Sequence, residues 1–271
     1  MRQLFIFAAL YAISAAGTAQ EAPPPEPASP ITDHFALRAG GFLGTVQTQG
    51  RIDNTATQTP GTVFSAEDDF HLSRHARQIR AEFMFRLRER SRLRVDMWEI
   101  TRDAVSSPTR TINYGSSSFT PADLVTSRFD WRQIDFTYTY SFLRQNKFEL
   151  GAGLGLHLLQ AEAEASVAAR GVHEDLSGSG PFATLALDGS WRISRRFALS
   201  ARAQYFSLKA NSDRGALGDY HMDLQFRWRP NLAYGLGYES THTQLDVSNS
   251  DPSGRMRVNT RGPELFVRAS F

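Results

Sequence analysis

Two short stretches pair residues that could move protons or attack a carbonyl. In "DYH", Asp219 and His221 stand two apart, so on a strand they share a face, and a carboxylate beside an imidazole can activate water. In "ESTH", Ser240 and His242 have the same spacing, within reach of each other as nucleophile and base must be. A third group, Asp68, Asp69, His71 and His75 in "AEDDFHLSRH", has the residue types of a metal site. Each has a plainer reading. Asp219 and His221 lie among other charges that can pair with them, no acid is placed behind His242, and the loop around His71 reads as solvated. No catalytic residue, metal or cofactor is therefore assigned from the sequence, and an enzyme is the weaker expectation.

The elements that would position these residues repeat with a period of two. From His34 onward, apolar positions alternate with polar ones in ten segments, and helical spacing is scarce. Ile79, Ala81, Phe83, Phe85 and Leu87 oppose Arg80, Glu82, Met84 and Arg86; Ile134, Phe136, Tyr138, Tyr140 and Phe142 oppose Gln133, Asp135, Thr137 and Thr139. Leu150, Ala152, Leu154, Leu156 and Leu158 oppose Glu149, Gly151, Gly153, Gly155 and His157, where the glycines leave room for long side chains from other strands. Tyr220, Met222, Leu224, Phe226 and Trp228 oppose His221, Asp223, Gln225 and Arg227. A soluble sandwich would show the same alternation, so connection lengths have to decide. Short turns at 88–92, 143–147, 194–196 and 229–231 alternate with long stretches near 51–76, 103–125, 166–180, 209–218 and 243–260. That alternation predicts a meander through a bilayer, with tight turns on one side and longer loops on the other.

Residues 1–19 read as a secretory signal, with Arg2, an apolar run from Leu4 to Ala16, and small residues Gly17 and Ala19 before the expected cleavage. Residues 20–33, with "EAPPPEPASP", read as an extended proline-rich periplasmic linker, and 34–271 as the folded domain. The 271 residues contain no cysteine and carry a net charge of +2, so neither disulfides nor thiolate metal sites support the fold. Acids are interleaved with the arginines, which argues against a nucleic-acid-binding face.

A signal peptide, alternating segments, aromatic residues at segment ends and a terminal Phe271 together resemble a Gram-negative outer-membrane β-barrel. The resemblance implies an all-β, antiparallel up-and-down transmembrane barrel of about ten strands, with eight or twelve left open because 51–76 could hide a hairpin. It implies location in the outer membrane and contact with outer-membrane lipid and lipopolysaccharide. It also implies recognition of Leu265, Val267, Ala269 and Phe271 by the barrel assembly machinery as an insertion signal. Asp219 and His221 resemble the Asp-x-His pair of the omptin proteases, but Asp68 and Asp69, the candidates for the two further aspartates, lie in the wrong loop. The Ser240 and His242 pair reverses the His-x-Ser order of small lipid A deacylases.

The inward parity supplies a lumen charge network: Arg80, Glu82, Arg86, Arg94, Asp96, Asp135, Asp188, Arg202, His221, Asp223, Arg227, Glu239, Glu264 and Arg268. In a barrel of this size such charges are expected to pair and fill the interior. Arg88, Arg90, Arg92, Arg195 and Arg196 crowd the short turns, where they either meet lipid phosphates or are solvated. The expected function is a structural or interaction barrel, with a narrow pore as a variant and an external-rim hydrolase as the competing reading; the external ligand is not legible.

Overall fold

The computed structural model describes residues 29–54, 56–210, 213–248 and 253–271. The signal segment 1–19 and residues 20–28 of the linker lie outside them. The described residues form thirteen strands: β1 (Phe35–Ile52), β2 (Phe64–Ser65), β3 (His75–Arg88), β4 (Ser91–Ser106), β5 (Ile112–Tyr114), β6 (Ser117–Phe119), β7 (Val125–Arg144), β8 (Phe148–Val167), β9 (Val172–Arg192), β10 (Phe197–Ala210), β11 (Asp213–Arg229), β12 (Leu232–Val247) and β13 (Gly254–Ser270). Ten of them pair in sequence as an antiparallel meander, and β13 returns to β1 in a ladder running from Ala36↔Ser270 to Ile52↔Gly254. The result is a closed ten-stranded barrel. The stretch 51–76 adds the two-residue β2 against Gln49 and Gly50, and β5 with β6 forms a small separate hairpin, so neither eight nor twelve strands span.

Alternation along each strand separates two environments. Outward positions are apolar around the whole circumference: Ile79 is 83% exposed, Leu154 65% and Leu265 61%. An exposed apolar band that closes on itself is stable in hydrocarbon and not in water. Tyr138, Tyr140, Phe142, Trp191, Phe197, Trp228 and Tyr234 ring its lower edge beside the short turns, an interfacial aromatic girdle. The terminal ring is exposed in that girdle, while the Phe271 carbonyl accepts from the His34 and Phe35 amides at 2.8 and 2.9 Å.

The strands outrun the membrane. β7, β8 and β9 contain 20, 20 and 21 residues, about twice the roughly 9–11 that a tilted strand needs to cross. Much of what reads in sequence as long loops at 166–180, 209–218 and 243–260 is therefore strand, with β8 and β9 paired out to Val167↔Val172. Beyond the bilayer no face meets lipid, so apolar alternation fades while the hydrogen-bond ladder continues. The last residues of the expected linker are also structured: Ser29, Ile31 and Asp33 are buried in the mouth of the barrel at the turn end.

The glycines do leave room, though not uniformly. A Cβ at Gly151 would meet Asp188 Oδ1 at 2.5 Å and Arg92 Nη2 at 3.3 Å, so its missing side chain admits that ion pair. A Cβ at Gly153 would instead strike the Tyr138 carbonyl oxygen at 1.8 Å, and this position cannot host a longer lumen side chain. Leu154→Arg is expected to cost about 2–4 kcal/mol by placing a charge on the lipid face, and Leu154→Phe to cost far less. Reversible urea unfolding in lipid vesicles measures both; equal costs would mean that Leu154 does not face lipid.

Candidate functional site

The lumen divides into a charged half at the turn end and an apolar half at the loop end. In the charged half Arg86 makes a two-pronged contact with Glu149 at 2.9 and 3.0 Å and also donates to the Asp33 and Pro30 carbonyl oxygens. Arg268 donates to the Asp33 carboxylate at 3.0 Å, and Arg227 lies 3.5 Å from the same oxygen, so the N-terminal segment is locked into the barrel mouth. Arg92 bridges Asp188 at 2.8 Å and Glu149 at 3.5 Å. One level up, Arg202 reaches Glu82 at 2.6 Å, Arg94 approaches Glu82 and Asp188, and Arg38 binds Asp223 at 3.1 Å and Glu264 at 2.6 Å while lying 3.5 Å over the Phe266 ring. Arg80 pairs with Asp96 and Glu239.

All fourteen residues expected to line the lumen lie inside the barrel, and ion pairs and hydrogen bonds join them apart from Asp135, which pairs with His157. Four members were not anticipated as such, one of them Asp33 from the expected linker. Arg38 and Glu149 stand on the inward parity, and that parity was the available signal. Arg92, read as a turn residue, is 4% exposed and belongs to the interior, whereas Arg88, Arg90, Arg195 and Arg196 remain exposed at the short turns. The "RERSR" stretch conceals this because β4 begins at Ser91, inside the apparent turn.

The chemical candidates separate. His221 is 4% exposed; its Nε2 faces Arg38 at 2.9 Å and Glu264 at 3.1 Å, and its Nδ1 faces Arg202 at 3.0 Å. Those three groups surround the ring and leave no position for a substrate. Asp219, two residues away on the same face, groups instead with Asp135 and His157, with one ligand atom from each inside a 4.8 Å circle. Ser240 is half-buried and His242 exposed on the outer face, where His242 Nδ1 contacts Asn259 Oδ1 rather than the serine. Asp69 binds Arg110 at 3.0 Å and accepts from Thr109 at 2.9 Å and the Ser65 amide at 2.8 Å, while Asp68 pairs with Arg74, so neither aspartate gathers with His71 and His75 around a cation.

Above the charged half the inward positions turn apolar. Trp98, Ile100, Phe129, Trp131, Leu159 and Leu217 line the wall, with Trp98 and Trp131 stacked at 6.5 Å. The β1–β3 loop folds inward over them, held by Glu67, which accepts from the Thr48 amide at 2.8 Å and pairs with Arg102 deep in the wall. Phe64, Phe70, Tyr114 and Phe119 form an aromatic cluster under this loop and the β5–β6 hairpin. The packing is incomplete. A cavity of about 80 Å³ lies beside a second of about 240 Å³, and the two share Ile52, Phe129, Ala163, Leu176, Arg255 and Met256. Arg128, paired with Asp130, and Arg255, paired with Asp246, stand at the edge.

No family model and no curated protein matches the chain. Among solved structures, the outer membrane protease OmpT from Escherichia coli aligns with 87% of this chain and 97% of its own, at 11% identity and a TM-score of 0.51. The fold is that of an outer-membrane β-barrel. The Ail protein of Yersinia pestis, bound to the heparin analogue sucrose octasulfate, aligns with 86% of this chain and 97% of its own at 13% identity, with a TM-score of 0.35. OprG from Pseudomonas aeruginosa aligns with 88% and 97% at 9% identity and a TM-score of 0.37. At these identities the likeness to OmpT describes the fold and not the chemistry, and the two lower scores carry no argument.

Two outcomes follow from this geometry. His221→Ala should destabilise the barrel by about 1–3 kcal/mol, since Glu264 loses a partner in a buried site, and should change no hydrolytic activity. Vesicle unfolding together with peptide and lipid A hydrolysis assays measures both, and a hydrolysis lost in a folded variant would make the ring catalytic. In the β1–β3 loop, burial acts to raise the pKa of Asp69, but the hydrogen bonds from Arg110, Ser65 and Thr109 outweigh it and hold the carboxyl below the usual aspartate value. The loop is thus stabilised at pH above the unfolded value of about 3.9 and loses that support as pH falls through the lower folded value. Hydrogen exchange at 64–72 should rise in that acid range, and Asp69→Asn should raise it already at neutral pH.

Proposed function

We propose that this chain is an outer-membrane interaction barrel, closed to conduction, which takes small apolar molecules into a cup open to the outside. The observation that carries this reading is the division of the lumen. A plug of paired charges with Ser29–Asp33 beneath it supports closure, and the incompletely filled apolar half supports binding, because polar lumens are the rule in barrels of this class. Apolar wall, aromatic cluster and a few edge charges are the usual composition of a small-molecule pocket.

The alternatives are less well supported. A pore would need a continuous aqueous path through the level of Arg38, Arg80 and Arg202, where side chains are paired across the interior. A protease or deacylase would need Asp219 and His221, or Ser240 and His242, to reach a substrate with their partners free. The bilayer and lipopolysaccharide are proposed surroundings, and the segment from Leu265 to Phe271 is the proposed handle for the assembly machinery, since its outward side chains and its pairing with β1 complete the closure.

Purified protein in planar bilayers should show no single-channel steps. It should bind the apolar dye N-phenyl-1-naphthylamine, and Ala163→Trp, at a wall position common to both cavities, should weaken binding about tenfold, roughly 1.4 kcal/mol, while the barrel stays heat-modifiable. Conductance steps would overturn closure, and undiminished dye binding in the folded variant would overturn the cup.

A further inference from the structure

We propose that Asp135, His157 and Asp219 form a buried site for a divalent transition-metal cation, between the charged and apolar halves of the lumen. The three come from adjacent and facing strands, β7, β8 and β11, and all are buried; one ligand atom of each lies within 4.8 Å of the others. Ligands around a tetrahedral zinc-like ion at about 2.1 Å stand roughly 3.4 Å apart, so small side-chain rotations close the set.

Charge pairing singles the place out. Asp33, Glu82, Asp96, Glu149, Asp188, Asp223, Glu239 and Glu264 each have a guanidinium within 4 Å. Asp135 and Asp219 do not: among the described residues Asp135 is paired with His157, and Asp219 receives no hydrogen bond. The guanidinium groups that act on Asp219 through space are those of Arg80, already committed to Asp96 and Glu239, and of Arg202, committed to Glu82. Two buried carboxylates beside each other need compensating positive charge.

The histidine is oriented for a ligand. Its Nε2 lies 3.0 Å from Gln204 Oε1, which also accepts from Thr184 Oγ1 at 2.8 Å, so Nε2 carries the hydrogen and donates it. Nδ1 is then the basic nitrogen; it lies 3.0 Å from Gln133 Nε2, whose N–H a metal would displace, and 2.7 Å from Asp135 Oδ1, an oxygen with no hydrogen-bond donor. Two acceptors at that separation require a cation or a proton between them. Donation of the second ring N–H to a carbonyl is how metal-bound imidazoles are held, and Gln204 supplies that carbonyl. Gln133 donates to the other Asp135 oxygen at 2.8 Å, fixing the carboxylate while its own Oε1 is buried without a partner. One imidazole with two carboxylates suits zinc, manganese, cobalt or nickel better than magnesium or calcium, which prefer oxygen alone.

The full chain, stripped with chelator and refolded into detergent with Co²⁺, is desalted and analysed for metal and for visible ligand-field absorption. One ion per chain should be retained with a nitrogen- and oxygen-ligated spectrum. Asp219→Asn and His157→Gln should each reduce retention about tenfold or more. His173→Ala, which removes an exposed histidine near Glu164 at the loop end, should leave it unchanged. Folded wild-type protein that retains no cobalt would mean that a proton occupies the site and would overturn the proposal; so would cobalt that survives Asp219→Asn or leaves with His173→Ala. If a site variant does not fold, wild-type thermal unfolding decides: Co²⁺ and Zn²⁺ should raise the melting temperature and Mg²⁺ should not, and no response to any of them overturns the site.

Discussion

In hydrocarbon, a main-chain N–H or C=O without a partner costs several kcal/mol, and a sheet with free edges has a row of them along each side. The ladder between β13 and β1 removes both edges at once. Much of the molecule follows from it. Ten strands close around an interior that side chains can reach across, and here they fill much of it. Since outward positions are reserved for lipid, the filling comes from the other parity. The lower half is filled with guanidinium and carboxylate groups long enough to meet across the axis.

Such filling is conditional. A buried ion pair returns little net stability because each charge first loses its water, but removing one member strands the other. The network is accordingly shared rather than pairwise: Arg38, Arg80, Arg86 and Arg92 each serve more than one group, and Arg86 satisfies the N-terminal segment as well as Glu149. The apolar half is simpler in energy and looser in packing, because the β1–β3 loop and the β5–β6 hairpin that cover it are tied down by a few polar contacts such as Glu67 with Thr48 and Arg102. Rigidity therefore lies at the turn end and adaptability at the loop end.

The barrel itself was legible from period-two alternation, as in Leu154, Leu156 and Leu158, together with the alternation of short and long connections, since a soluble sandwich would share the first but not the second. The inward charges were legible by the same parity. What the pattern hid were distances across the axis. Arg92 looks like a turn residue until the ladder starts at Ser91, and Asp219 looks like a partner of His221, its neighbour on the strand, although it groups with Asp135 and His157 from β7 and β8. The apolar cup was hidden for another reason. Trp98, Ile100, Phe129 and Trp131 lie on the inward parity, where apolar residues interrupt a charged series, and the interruption acquires meaning when several strands are seen to share it at one height. Strand ends beyond the bilayer carry no lipid signal and were read as loops.

The seat of Ser29–Asp33 in the barrel mouth has a mechanical consequence. β1 begins two residues after Asp33, and Asp33 is held by Arg227 of β11 and Arg268 of β13. A pull on the proline-rich stretch that precedes it, directed along the barrel axis, would load those ion pairs first and then the β1 ladders to β3 and β13 parallel to their strands. Hydrogen bonds loaded in that direction share the force instead of opening one after another. Tension applied from the N-terminal side would therefore meet the mouth ion pairs and the β1 ladders in shear, without peeling the seam on which closure depends.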